Sequence, residues 1–251
     1  MREKVNYFIE KLKLKGMELR LDETLAQAER EGLSIDEVLY RLLHAEYEMR
    51  VNKQLESRIT QAKLPWSWTL DTFPFEKQPS INKTQIMGMA NLGFIKRYEN
   101  IIFIGKPGAG KTGLALGLLR LALMNGYRGK FYNAQDLLNE LYSSLADRTT
   151  SRLLKKLYHY DVLVIDELGY LTLNNEQINI FFKLIDMRYQ KKPTIITTNL
   201  DYPEWYGVFK QKELVDAMLD RFKHFCTTIR IEGDSLRQAQ EDNEKPKDKK
   251  R

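Results

Sequence analysis

Gly105-Lys106-Pro107-Gly108-Ala109-Gly110-Lys111-Thr112 decides the fold of this chain. Its fixed positions match the phosphate-binding pattern G-x-x-x-x-G-K-[ST]. Directly before it, Asn100-Ile101-Ile102-Phe103-Ile104 is short, apolar and β-branched, and reads as a buried strand. Directly after it, Thr112 to Ala122 reads as a helix packed on a sheet. Strand, glycine loop and helix, in that order, are the setting in which the pattern binds phosphate. The glycines let the backbone curl until several N–H groups point at one anion, and the helix N-terminus adds partial positive charge. Gly105, Lys106, Pro107, Gly108, Ala109 and Gly110 would cradle the phosphates of ATP. Lys111 would reach the β- and γ-phosphates, and the Thr112 hydroxyl would hold Mg²⁺.

Working outward, strands alternate with helices. Gly129 to Ala134 reads as a second strand and Asp136 to Tyr160 as one long helical stretch. Asp161-Val162-Leu163-Val164-Ile165-Asp166-Glu167 is an apolar strand ending in two acids, followed by a helix over about 175–190. Pro193-Thr194-Ile195-Ile196-Thr197-Thr198-Asn199 is another buried strand. The alternation predicts an α/β fold, a parallel sheet flanked by helices on both faces. Ligands of such sheets sit at the carboxyl ends of the strands, so both acids are expected beside the phosphate loop. Asp166 would hold Mg²⁺ and Glu167 would deprotonate an attacking water. The competing reading is a pair of acids capping a strand at the surface. The phosphate loop about 55 residues upstream favours the site.

Other candidates keep two readings each. Asn199 is either a sensor of the γ-phosphate or a turn former before Leu200-Asp201-Tyr202-Pro203. Arg221 is either an arginine finger acting on a neighbouring subunit's nucleotide or half of a surface ion pair. Arg148, Arg152, Lys155 and Lys156 form either a DNA-phosphate patch or a solvated helix face.

Residues 1–62 read as a small all-helical domain, rich in Leu, Glu, Arg, Ala and Lys and free of proline. Val5, Phe8, Ile9 and Leu12 fall on one helix face, and Leu14, Met17, Leu21 and Leu25 continue the pattern up to a break at Gly32. Ser34-Ile35-Asp36-Glu37 starts a new helix by capping, with Ile35, Val38, Leu39, Leu42 and Leu43 as its apolar stripe. Oligomerisation and DNA or partner binding are equally open for this domain. Residues 63–80 are a linker: three prolines and Trp66, Trp68, Phe73 and Phe75 mark an extended segment that docks on the core or lies near the base. Residues 82–97 read as a helix. The ATPase domain is expected over 81–236 and a charged tail over 237–251.

Composition is that of a soluble globular protein, with 43% hydrophobic and 29% charged residues and a formal net charge of +6. The mild positive balance suits nucleic acid without requiring it. A lone cysteine, Cys226, excludes an intrachain disulfide, and His44, His159 and His224 lack ligand spacing. The N-terminus has neither signal peptide nor membrane span, so a cytoplasmic place is expected.

Taken in order, several stretches resemble the IstB-like helper ATPases of bacterial insertion sequences, kin of the DnaC-type helicase loaders in the AAA+ superfamily. They are Thr69 to Phe73, Gln78 to Ile81, Gly105 to Thr112, Val164 to Gly169, Thr197 to Asn199, Leu219 to Phe222 and Ile229 to Ser235. The resemblance implies a P-loop AAA+ core. It also implies an ATPase that assembles as a homo-oligomer with ATP on duplex DNA and assists a partner transposase. A helicase loader is the alternative. The resemblance also makes Asn199 the sensor and Arg221 the finger. Gly113 departs from the histidine the family usually shows after the phosphate-loop threonine. No helical lid is expected after Ser235, and Arg237 is a weak candidate for a lid arginine.

Overall fold

The computed structural model describes residues 1–169, 171 and 173–236. The expected tail and Arg237 lie outside the described residues. The chain divides into two compact units, Met1–Arg58 and a second that begins at Ile59. Among the described residues no helix is long and apolar enough to cross a membrane.

The first unit holds α1 (Arg2–Lys11), α2 (Lys15–Glu31) and most of α3 (Ile35–Ala62). A second break appears that the spacing did not foretell. Lys13 takes a left-handed conformation, φ 56°, and ends α1 before α2 begins. One side chain from each helix, Ile9, Leu21 and Leu42, forms a small core, with Leu14, Met17 and Val38 around it. The expected apolar faces therefore split. Phe8 on α1 and Leu12 at its end, and Ile35, Leu39 and Leu43 on α3, are exposed. Glu46 joins two helices. Its Oε2 accepts the Gly16 N–H at 2.7 Å, where α2 starts, and its Oε1 accepts from Arg50 Nε at 2.6 Å. Burial pushes its carboxyl up, but Arg50 and the backbone N–H groups of Gly16 and Met17 hold it below the usual carboxylate range.

In the second unit, α4 (Lys83–Met89) and α5 (Gly93–Lys96) replace the single helix expected over 82–97, because Leu92 turns left-handed between them. Then follow β1 (Asn100–Gly105), α6 (Lys111–Met124), β2 (Gly129–Asn133), α7 (Ala134–Ala146), α8 (Thr150–His159) and β3 (Val162–Asp166). The long helix expected over 136–160 is two helices, broken where Arg148 adopts φ 54°. After β3 come α9 (Asn175–Arg188), β4 (Thr194–Thr198), α10 (Trp205–Phe209), α11 (Lys212–His224) and β5 (Cys226–Ile231). β5 is a strand the sequence reading did not identify.

Among the described residues the strands form one parallel sheet in the order β2-β3-β4-β1-β5. β3 and β4 are buried along their whole length and β1 as far as Ile104, as a parallel sheet covered on both faces requires. The order sets the carboxyl ends of β1, β4 and β3 side by side.

α6 is apolar on nearly every side because it is covered on two sides. Leu114, Ala115, Leu116, Leu118 and Leu119 have no exposed surface. Its glycines admit the linker: a Cβ on Gly113 would meet Trp68 Cε3 at 2.7 Å, and one on Gly117 would meet Leu70 Cδ2 at 2.7 Å. The linker thus docks on the phosphate-loop helix, and Gly113 is the notch for Trp68. A histidine at position 113 should be costly here. Overpacking of this kind costs about 2 kcal/mol, which in a chain of this size lowers Tm by about 4–8 °C. Gly113→His should therefore melt earlier, and it should cost much less when introduced into a Trp68→Ala background than into the wild type. A calorimetric scan in which Gly113→His melts with the wild type removes the notch.

Two buried cations tie the periphery down. Arg188, 1% exposed, donates to the Leu157, Tyr160 and Pro193 carbonyls and to Thr194 Oγ1, joining the end of α8 to the start of β4. Lys130 donates to the Gln61 carbonyl at 2.7 Å in the last turn of α3. Burial brings its amine down to about 8.

Candidate ATP site

The site begins where β1 runs out. Gly108 (φ 81°) and Gly110 (φ 95°) take left-handed conformations that a side chain would strain. α6 then starts at Lys111 with no side-chain cap on its first N–H groups, which leaves those donors for an anion. The Lys111 amine lies over the loop, donating to the Gly105 and Lys106 carbonyls at 2.7 and 2.8 Å. The loop is clasped from outside. Leu236 N–H donates to the Gly108 carbonyl at 2.9 Å, and Phe73 lies against Gly110.

β3 delivers the acids. Asp166 is 5% exposed, and its Oδ1 accepts from Thr112 Oγ1 at 2.9 Å and from Thr197 Oγ1 at 2.5 Å. Burial pushes its carboxyl up; the Thr197 and Thr112 hydroxyls pull it down, Glu167 pushes it up and Lys111 pulls it down, with a net rise. Glu167 follows with φ 59°, a left-handed conformation that costs a non-glycine residue of order 1 kcal/mol or more. Its N–H donates to Thr197 Oγ1 at 2.9 Å, and its Oε2 accepts from Asn133 Nδ2 at 3.1 Å. Asn199, just past β4, rests on the next turn: a Cβ on Gly169 would lie 2.3 Å from Asn199 Oδ1.

The structure therefore gathers Gly105 to Thr112, Asp166, Glu167 and Asn199 at one end of the sheet. It does not bring Arg221 there. Arg221 pairs with Asp186 at 2.9 Å, donates to the Ala217 carbonyl and stacks 5.0 Å from the Phe182 ring centre. It lies close to Asn100 and Thr194, which begin β1 and β4, so it sits at the opposite ends of the strands. Arg152, Lys155 and Lys156 lie on the exposed face of α8, with Leu153, Leu154 and Leu157 on its buried face and Arg148 in the turn before it. None of the four bases forms an ion pair with a described residue.

Asn133 and Thr197 are the residues sequence reading passed over. Asn133 ends β2 and caps α7, its Oδ1 accepting the Gln135 N–H at 3.0 Å. Register sets it opposite Asp166. The signal was present: a polar residue at a strand's carboxyl end, like Asp166 and Asn199.

Comparison with known proteins places this geometry among relatives. The description "IstB-like ATP binding protein" fits residues 8–244. An insertion sequence IS21 protein of Pseudomonas aeruginosa, named for ATP binding, is 36% identical over 91% of this chain and 86% of its own. Its IS5376 counterpart from Geobacillus stearothermophilus is 35% identical over 99% of this chain and 100% of its own. Among solved structures, the crystal structure of the DnaC helicase loader superposes with a TM-score of 0.58 at 28% identity, covering 68% of this chain and 99% of that one.

Proposed function

The chain belongs to the family of IstB-like ATP-binding proteins, AAA+ ATPases by fold, and from that premise we propose that it is a DNA-dependent helper of transposition. In this reading it assembles with ATP on duplex DNA in the cytoplasm, assists a partner transposase and hydrolyses ATP to reset the assembly.

One observation supports hydrolysis above all: Glu167 is fixed beside Asp166 by Asn133 and Thr197, at the mouth of the phosphate loop. A kinase needs an acceptor pocket there, whereas a hydrolase needs a carboxylate aimed at water. The donor set suits a magnesium nucleotide. Thr112 Oγ1 and Asp166 Oδ1 lie 2.9 Å apart, a hydroxyl and a carboxylate of the kind hard cations take. When bound, Mg²⁺ neutralises charge on the β- and γ-phosphate oxygens. Gly105 to Thr112 hold the phosphates, Lys111 exchanges its loop carbonyls for them, Glu167 accepts the proton of water, and Asn199 orients that water. Arg148, Arg152, Lys155 and Lys156 supply the sequence-independent contact with DNA phosphates.

ATP turnover with and without duplex DNA tests the reading. DNA should raise turnover several-fold, ATP should strengthen DNA retention, and a transposase should co-purify with the ATP form. Turnover indifferent to DNA, with no ATP-dependent DNA binding, removes the helper role. The kinship with the DnaC helicase loader supports one rival, in which a replicative helicase is captured in the transposase's place.

A further inference from the structure

The geometry points to Thr197 as a positioning residue for ATP hydrolysis, holding the metal-binding acid and the general base with one hydroxyl; this rests on the ATPase reading above. Thr197 sits on β4 with no exposed surface. Its hydroxyl makes two bonds of opposite sense. It donates to Asp166 Oδ1 at 2.5 Å and accepts the Glu167 N–H at 2.9 Å. One proton and one lone pair are thereby used, and the two residues fixed are consecutive members of the site.

The need for such a post follows from the backbone. Asp166 closes the regular part of β3, and Glu167 leaves it with φ 59°. Beyond the strand, no ladder bond holds the Glu167 backbone, so its path depends on what its N–H finds, while Asn133 holds the carboxylate. Thr197 Oγ1 is that acceptor. The next residues are pinned to the same stretch of β4. The Leu168 N–H donates to the Thr197 carbonyl at 2.9 Å, and Thr198 Oγ1 donates to the Leu168 carbonyl at 2.5 Å. The turn that aims Glu167 is thus moulded on Thr197 and Thr198, one step before Asn199.

A buried hydroxyl of this kind governs aim rather than affinity. The phosphate loop, which binds the nucleotide, makes no bond to Thr197, so its loss should fall on kcat. Removing a partner that orients a metal-site ligand costs about 10- to 100-fold in metal affinity or activity, so the rates are compared at saturating Mg²⁺.

The test compares Thr197→Val, Thr197→Ala and Thr197→Ser in the full-length chain. The readouts are kcat, KM for ATP, equilibrium binding of a fluorescent ATP analogue and thermal melting, with the wild type and Glu167→Gln beside them. Val and Ala should lose kcat about 10- to 100-fold with KM and analogue affinity within about threefold, and Ser should recover most of the rate. Val turning over within twofold of wild type overturns the assignment. So does Ser failing as Ala does, or KM rising in step with the loss of kcat. Should Val not fold, Ala against Ser decides by the same criteria. A wild type inactive even with duplex DNA present removes the ATPase reading itself, whereas an active wild type, a dead Glu167→Gln and a normal Thr197→Val remove Thr197 alone.

Discussion

Glu167→Gln should hold ATP and DNA yet turn over at least about 100-fold more slowly than the wild type, the lower range for loss of a general base. The substitution is nearly isosteric. A glutamine Oε1 still accepts the Asn133 Nδ2 proton, and the backbone bond from residue 167 to Thr197 Oγ1 is untouched. What disappears is the charge that takes the proton from water. Removing that charge also relieves Asp166, whose carboxyl Glu167 pushes up. Binding should therefore persist or tighten while phosphate release stops. Release of phosphate and ATP-dependent retention of DNA, measured on one preparation, separate the two effects. Turnover above a tenth of wild type would move the base elsewhere.

Much of this was legible in the sequence because the decisive stretches are local. The phosphate loop needs only its own spacing, and Ile101 to Ile104, Val162 to Ile165 and the Ile195-Ile196 pair set among threonines are short, apolar and largely β-branched, as buried strands are. β5 was less visible. Cys226-Thr227-Thr228-Ile229-Arg230-Ile231 lies at the sheet edge with only Ile229 and Ile231 buried, so it lacks that run. The break between α7 and α8 carries no glycine or proline. Arg148 takes the left-handed turn, a choice made by packing of Leu141, Leu153 and Leu157 rather than by propensity. Asn133 and Thr197 became meaningful only through strand order, which sets β2 and β4 on either side of β3. Which end of the sheet Arg221 occupies is likewise a property of topology, not of spacing.

That last placement sharpens one expectation: an Arg221→Ala chain should be nearly inactive alone and should be rescued by a Lys111→Ala chain. Arg221 lies with Asn100 and Thr194 at the strand ends opposite Gly105 and Asp166, so it cannot serve the nucleotide of its own chain. Its present partner is no obstacle. The ion pair with Asp186 is partly exposed, 27% and 51% for the two side chains. Such a pair is worth about 1 kcal/mol or less. An arginine finger is worth about 10³–10⁵ in rate, or about 4–7 kcal/mol. The exchange favours leaving Asp186 and the Ala217 carbonyl for a neighbour's γ-phosphate. In a head-to-tail assembly, a Lys111→Ala subunit has lost its loop lysine but, held in place by ATP-bound neighbours, still lends its arginine. In a one-to-one mixture half the subunits keep a working loop, and half of those meet an intact arginine, so about a quarter of wild-type turnover should return. A mixture no more active than its two components, in a sample shown to exchange subunits, would mean that Arg221 serves only its pair with Asp186.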